Sequence, residues 1–222
     1  MKKIITSFFI ASCLLAGPVS AALTPNDPLY TNQWYLYRIG AEKAWSKISS
    51  SPNTIIAVID SGVQIDHPDL KDNIWQNEDE IPGDGIDNDN NGFIDDANGW
   101  DFTDNTTNPS PKLNEGWTEA GISHGTLVAG IIAASGNNKR GVAGVTWQAQ
   151  IMPLKALNDK GEGKISDVIR AIDYAINNGA HIINLSFTSF NYSEGLQEAI
   201  YRAHQAGVMI VAAAGNEQAT GE

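Results

Sequence analysis

Ile55-Ile56-Ala57-Val58-Ile59 is an unbroken apolar, mostly β-branched run that stops at Asp60 and the turn pair Ser61-Gly62. An all-apolar run of this length between turn residues suits a strand covered on both faces, as in a parallel sheet. Open sheets of that kind gather their ligands at the carboxyl ends of the strands, which is where Asp60 falls. An Asp at such a place can equally serve only to form the turn. Its company elsewhere in the chain decides between the two readings.

That company is periodic. From His124 onward the sequence predicts a helix over 124–134, in which Gly125, Ala129, Gly130 and Ala133 allow close approach to the sheet. A strand over 150–157 follows, in which Pro153 cannot donate to a ladder, and then a helix capped by Ser166. That helix carries Val168, Ile169, Ile172, Ala175 and Ile176 on one face and ends at Gly179. A strand over 181–186, a helix over 193–206 and a strand over 208–213 complete the series. Upstream, Trp34, Leu36, Ile39, Ala41 and Trp45 suggest an arm with a short helix over 41–48. Strand and helix alternate, so the expected fold class is α/β: a parallel β-sheet with helices on both faces, entered at the strand 54–59.

The first residues read differently. Lys2 and Lys3, the apolar stretch through Leu15 and the small-residue exit Val19-Ser20-Ala21 have the pattern of a secretory signal peptide over 1–21. A loose lipoprotein-like box at Cys13 is the weaker alternative. Cys13 is the only cysteine, so residues 22–222 would hold neither a disulfide nor a thiol nucleophile. Their length suits one domain. A net charge of −12 argues against nucleic acid as a partner. Polypeptide substrates, no stable membrane association after signal cleavage and a monomeric state are the corresponding expectations.

The charge is concentrated. Asp66 to Asp104 holds 13 of the 26 acidic residues and one basic residue, Lys71, and overlaps a connection, about 71–121, too long to be structureless unless it is functional or metal-organised. Asp87, Asp89, Asn91, Gly92 and Asp95 fit positions one, three, five, six and nine of a calcium loop, in which alternating oxygens wrap a hard cation. Position twelve is Asn98 rather than the bidentate Glu. A merely solvated acidic loop is the alternative.

Asp60, His124 and Asn216 have side chains that can work together: a carboxylate orienting an imidazole that acts as general base, and an amide NH₂ aimed at a developing oxyanion. Individually each has a plain structural reading as turn former, helix cap or αL residue. His67, His181 and His204 are read as structural.

With their flanks, these three become recognisable. Asp60-Ser61-Gly62, His124-Gly125-Thr126-Leu127-Val128-Ala129-Gly130 and Ala213-Ala214-Gly215-Asn216-Glu217 resemble the Asp, His and oxyanion-Asn motifs of the subtilisin-like serine proteases, in that family's order. The resemblance implies that Asp60 orients the imidazole, that His124 is general base and acid, and that Asn216 is the oxyanion donor. It further implies that Gly161 and Gly163, with Ser186 and Phe187, flank a substrate backbone bound as an added strand. Ala213, Ala214 and Gly215 would line the primary pocket, with Glu217 near its base. Where the family usually has Ser-Leu-Gly-Gly this chain has Ser186-Phe187-Thr188-Ser189, a bulkier wall. His67-Pro68-Asp69-Leu70 matches a second calcium segment of the family, with Asp27 and Asn138 as co-ligands to Asp69. Ca²⁺ is therefore the expected cofactor.

The family's nucleophile is a serine in Gly-Thr-Ser-x-Ala, and these 222 residues contain no such segment. The expectation is a secreted, calcium-dependent serine endopeptidase domain, C-terminally incomplete, inactive by itself and prone to aggregate. An inactive peptide-binding form and a structural calcium-binding protein are the alternatives.

Overall fold

The computed structural model describes residues 23–112, 119–189 and 191–216. The signal segment 1–21 and Glu217 lie outside the described residues.

In chain order the elements are α1 (Trp34–Arg38), α2 (Ala41–Trp45), β1 (Ile55–Asp60), β2 (Trp100–Asp101), α3 (Glu119–Ala133), β3 (Gln150–Lys155), α4 (Ile165–Asn177), β4 (Ile182–Leu185), α5 (Glu194–Gln205) and β5 (Met209–Ala212). The strands form one sheet in the order β2-β3-β1-β4-β5, and every described pairing is parallel.

β1 sits at the middle of the sheet, and its residues divide between two cores. Ala57 and Ile59 point into a cluster with Met152, Leu154, Ile172 and Ala199, on the side of α4 and α5. Ile56 and Val58 point the other way, against Ala129, Ala133 and Ile151, on the side of α3. This is the two-faced burial that an all-apolar strand requires, each large aliphatic side chain contributing about 1.5–3 kcal/mol. A third cluster joins the arm to the body through Tyr30, Leu36, Trp45 and Trp147. There the Gln33 carboxamide donates to the Ala143 carbonyl (2.8 Å) and accepts from the Ala143 N–H (2.9 Å).

Several local expectations need correction. The helix carrying His124 begins at Glu119, so it runs through Gly121 and Ser123, whose low helix propensity marks them as loop in the sequence. Within it Gly125 does meet β1 closely, whereas Gly130, expected to share that role, has open space where a Cβ would stand. α4 starts at Ile165 with the extended Lys164 as its cap residue, two positions ahead of what Ser166 as cap would require. The arm holds two short helices parted by the left-handed Gly40 (φ 70°), where a single one over 41–48 was expected. The acidic connection contributes strand β2, which pairs with Leu154 and Lys155 of β3, so Pro153 stands outside that ladder.

Candidate active site

Asp60 ends β1, fully buried, and accepts the Ser61 N–H at 2.7 Å. α3 brings His124 over it: Nδ1 lies 2.8 Å from Asp60 Oδ1 and 3.0 Å from Oδ2. A carboxylate can only accept, so this contact selects the tautomer with the proton on Nδ1 and leaves the neutral ring's lone pair on Nε2. The His124 side chain is 46% exposed while that of Asp60 is 0% exposed, a buried carboxylate beneath an accessible imidazole. Gly125 makes it possible, since a Cβ there would stand 2.4 Å from the Gly62 carbonyl oxygen.

The other residues singled out in the sequence fall around the same sheet edge. Asn216 is exposed and lies in the segment after β5, where Ala213 still donates to Leu185. Ala213, Ala214 and Gly215 are exposed too, and a Cβ on Gly215 would touch the Thr188 methyl at 3.4 Å, so this segment borders the one after β4. In that segment the Asn184 amide donates to Ser186 Oγ (2.9 Å), and Phe187 is packed against the main core. On the opposite side Gly161 (φ 77°) sits at the tip of a tight loop closed by the antiparallel bridge Leu157–Gly163. A cleft of about 500 Å³ opens beside Gly163, bordered by Asp104, Lys112, Lys155, Asp159 and Glu162.

The oxygen-rich positions form two groups. Asp27, from the arm, accepts the N–H groups of Asn137 (2.6 Å) and Asn138 (3.2 Å), while Asn138 Nδ2 donates to Asp69 Oδ1 (2.9 Å) and Val142 N–H to Asp69 Oδ2 (3.0 Å). Both carboxylates are buried, 4% and 3% exposed. Among the described residues neither has a cationic side chain within ion-pair distance, which fits a hard divalent cation as the missing countercharge.

In the acidic connection Asp87 and Asp89 converge with Glu80, which sequence reading missed, their oxygens lying within 4.8 Å of one another. Asn91 N–H donates to both Asp87 and Asp89. Asp95 faces elsewhere, accepting the N–H groups of Gly83, Asp84 and Gly85. Asn98 donates to the Trp75 carbonyl. Glu80 lies outside the loop's own spacing pattern; its acceptance of the Asn88, Asp89 and Asp95 N–H groups ties it there. Beneath, fully buried Asp96 accepts from Tyr174, Asn77 and Asn91, and burial pushes both its carboxyl and the Tyr174 hydroxyl upward.

Comparison with known proteins adds the decisive observation: the model of the subtilase family matches residues 51–222. The chain belongs to the subtilase family. Over 194 residues it is 39% identical to subtilisin-like protease 1 of Plasmodium berghei (strain Anka), covering 86% of this chain and 31% of that protein. It is 35% identical to thermitase of Thermoactinomyces vulgaris over 194 residues, 87% of this chain and 58% of that one. A solved protease structure from Pseudoalteromonas arctica PAMC 21717 shares its fold with a TM-score of 0.64 at 32% identity, over 87% of this chain and 60% of that one. This subtilase chain thus spans less than two thirds of each of these relatives. Its parallel sheet with helices on both faces is the fold the sequence implied.

Proposed function

We propose that this chain carries the acid–base half of a secreted, calcium-binding serine endopeptidase. The reading rests above all on one contact, His124 Nδ1 to Asp60 Oδ1 at 2.8 Å, made by a half-exposed imidazole on a buried carboxylate. In it His124 Nε2 takes the proton of a serine hydroxyl as that oxygen attacks a peptide carbonyl, and returns it to the leaving amine. Asp60 holds the ring and stabilises the imidazolium, and Asn216 donates to the oxyanion. The substrate backbone lies between the 161–163 and 186–188 segments as an added strand, with Ala213, Ala214 and Gly215 lining the pocket for its side chain.

The nucleophile is not among these 222 residues in the family's Gly-Thr-Ser-x-Ala context. Hydrolysis therefore requires a serine that they do not supply.

Asp27, Asp69 and Asn138 would hold one calcium ion, and Asp87, Asp89 and Asn91, joined by Glu80, a second, with Asp95 bracing the loop. Calcium would supply the countercharge for buried carboxylates and staple loops that have no disulfide. Export rests on the leader-like residues 1–21. Among the described residues no helix is long and apolar enough to cross a membrane. The protein is read as a monomer acting on polypeptides.

The test is to titrate the chain with a fluorescein-labelled unstructured peptide, with calcium and with chelator, and to follow hydrolysis in parallel. Saturable, calcium-dependent binding without hydrolysis is expected. Hydrolysis abolished by a serine-directed phosphonate would overturn the claim that the nucleophile lies elsewhere; absence of binding would overturn the peptide site.

A further inference from the structure

Lys155 is the last residue of β3 and stands opposite Asp60 in the β1–β3 ladder. A lysine at the core end of a central strand is unusual, and here its side chain is only 2% exposed. Its ammonium donates to the Ser61 carbonyl (2.8 Å), the Leu157 carbonyl (2.9 Å) and Asp159 Oδ1 (2.9 Å), which engages all three of its protons. Asp159, 4% exposed, also accepts the Lys112 N–H at 3.1 Å.

These bonds lie between two parts of the proposed machinery. On one side is the turn that aims Asp60: its own carbonyl accepts the N–H groups of Ala156 (3.0 Å) and Leu157 (3.1 Å), and the next carbonyl, of Ser61, is held by Lys155. On the other side is the loop bearing Gly161 and Gly163. There Asn158 N–H donates to the Glu162 carbonyl (2.7 Å), and Asn158 Oδ1 accepts from Lys160 and Glu162. A buried ion pair is seldom the most stabilising filling for a core site, because both charges must be desolvated; an apolar pair of similar volume is often as stable or more so. What the pair supplies here is direction.

We propose that Lys155 and Asp159 are a positioning pair, one buried ionic link that fixes the Asp60 turn and the 158–163 peptide-binding edge relative to each other. The inference rests on the reading of Asp60–His124 and of the peptide edge given above. Neither residue touches substrate in it; they act through Ser61, Leu157 and the loop.

The test uses the 222-residue chain with both charges replaced, Lys155→Met with Asp159→Leu, so that no lone charge is left in the core. Two quantities are read: the low-field proton signal of His124 Nδ1–H bound to Asp60, and the affinity for a fluorescently labelled tetraalanine peptide. The melting temperature should stay within a few degrees while the Nδ1–H signal is lost to exchange and the affinity falls about tenfold. A folded double variant that keeps both the signal and the affinity overturns the inference, since a merely space-filling pair would behave that way. Should the double variant not fold, Asp159→Asn retains an oxygen for Lys155 and for the Lys112 N–H. It should weaken peptide binding several-fold, and unchanged binding and signal would overturn the inference equally. If the unmodified chain has no Asp60-dependent His124 signal, abolished by Asp60→Asn, the triad reading itself has failed. A signal present in the unmodified chain and retained in the folded variant, with peptide affinity unchanged, sinks only the positioning pair.

Discussion

Gly125 and Asp60 are in contact: a Cβ added to Gly125 would stand 3.0 Å from Asp60 Cβ and 3.2 Å from its Oδ1. The residue that follows His124 must therefore be bare for the imidazole to reach that carboxylate. Gly125→Ala should destabilise the chain by about 1–3 kcal/mol through overpacking, against a gain in helix propensity of about 1 kcal/mol. Urea denaturation measures the net loss; an unchanged midpoint would mean that α3 and β1 part without cost.

The catalytic reading makes a separate demand. In a protein carrying these residues together with the nucleophilic serine, Asp60→Asn should lower turnover by about 10⁴ with little change in peptide affinity, the loss general to triads whose imidazole is left in the wrong tautomer. A loss below about tenfold in steady-state kinetics would remove Asp60 from the mechanism.

Chelation should act on stability first. With ions held at about a hundred times their dissociation constant, each site adds about 2.7 kcal/mol, so stripping one site should lower the melting temperature by roughly 5–10 °C in a chain of this size. Asp69→Asn and Asp87→Asn should each abolish part of the calcium effect, separately, in differential scanning calorimetry. A melting temperature indifferent to chelator would remove calcium from the account.

The Tyr174 hydroxyl donates to buried Asp96 at 2.5 Å and so fastens the acidic connection to α4. Tyr174→Phe leaves that carboxyl one donor short at an expected cost of about 1–3 kcal/mol. Proteolysis with an added protease should then cut first within 77–98, and uniform protection would contradict the link.

Asp104 and Lys112 form an ion pair near the cleft, and each shifts the other: the bond to Lys112 holds the Asp104 carboxyl below its usual range, and the bond to Asp104 holds Lys112 above its own. The contribution of Asp104 is therefore present above the unfolded carboxyl's pKa and lost as pH falls through the depressed folded value. That of Lys112 is complete below the unfolded ammonium's pKa and lost as pH rises through the raised folded value. Both side chains are substantially exposed, so Asp104→Asn, which leaves Lys112 its second carboxylate, buried Asp101 at 3.3 Å, should cost under about 1 kcal/mol and less still in high salt. Denaturation midpoints at two salt concentrations check this.

How much of this was legible in the sequence depends on how local each signal is. Ile55 to Asp60 announces its strand because both faces are buried, and successive residues can all be apolar without ambiguity. Ser193 announces α5 because its hydroxyl accepts the Leu196 N–H, a contact three residues long. Gly121 and Ser123 hid the first turn of α3, because propensity is a weak prior and the helix continues through them. Gly125 showed that it meets something, but not what: its neighbours Gly62 and Asp60 lie far back in the chain, on β1 and the turn after it. Lys155 and Asp159 gave no signal at all. A lysine followed four residues later by an aspartate reads as a solvated surface pair, and only the ladder position opposite Asp60 shows them to be buried. Asp27, Asp69 and Asn138 are grouped in the sequence only by family likeness, as calcium ligands; no spacing rule brings Asp27 of the arm to the N–H of Asn138, 111 residues on.

Asp60 belongs to the sheet and His124 to the helix layer packed on it. Their bond is therefore a gauge of how the two layers lie against each other: a slide of α3 along β1 by a fraction of a turn would be read at once as a broken imidazole–carboxylate contact. The small residues Ala129 and Ala133, which seat α3 on the sheet, thus set the tolerance of that contact as well as the tightness of the core.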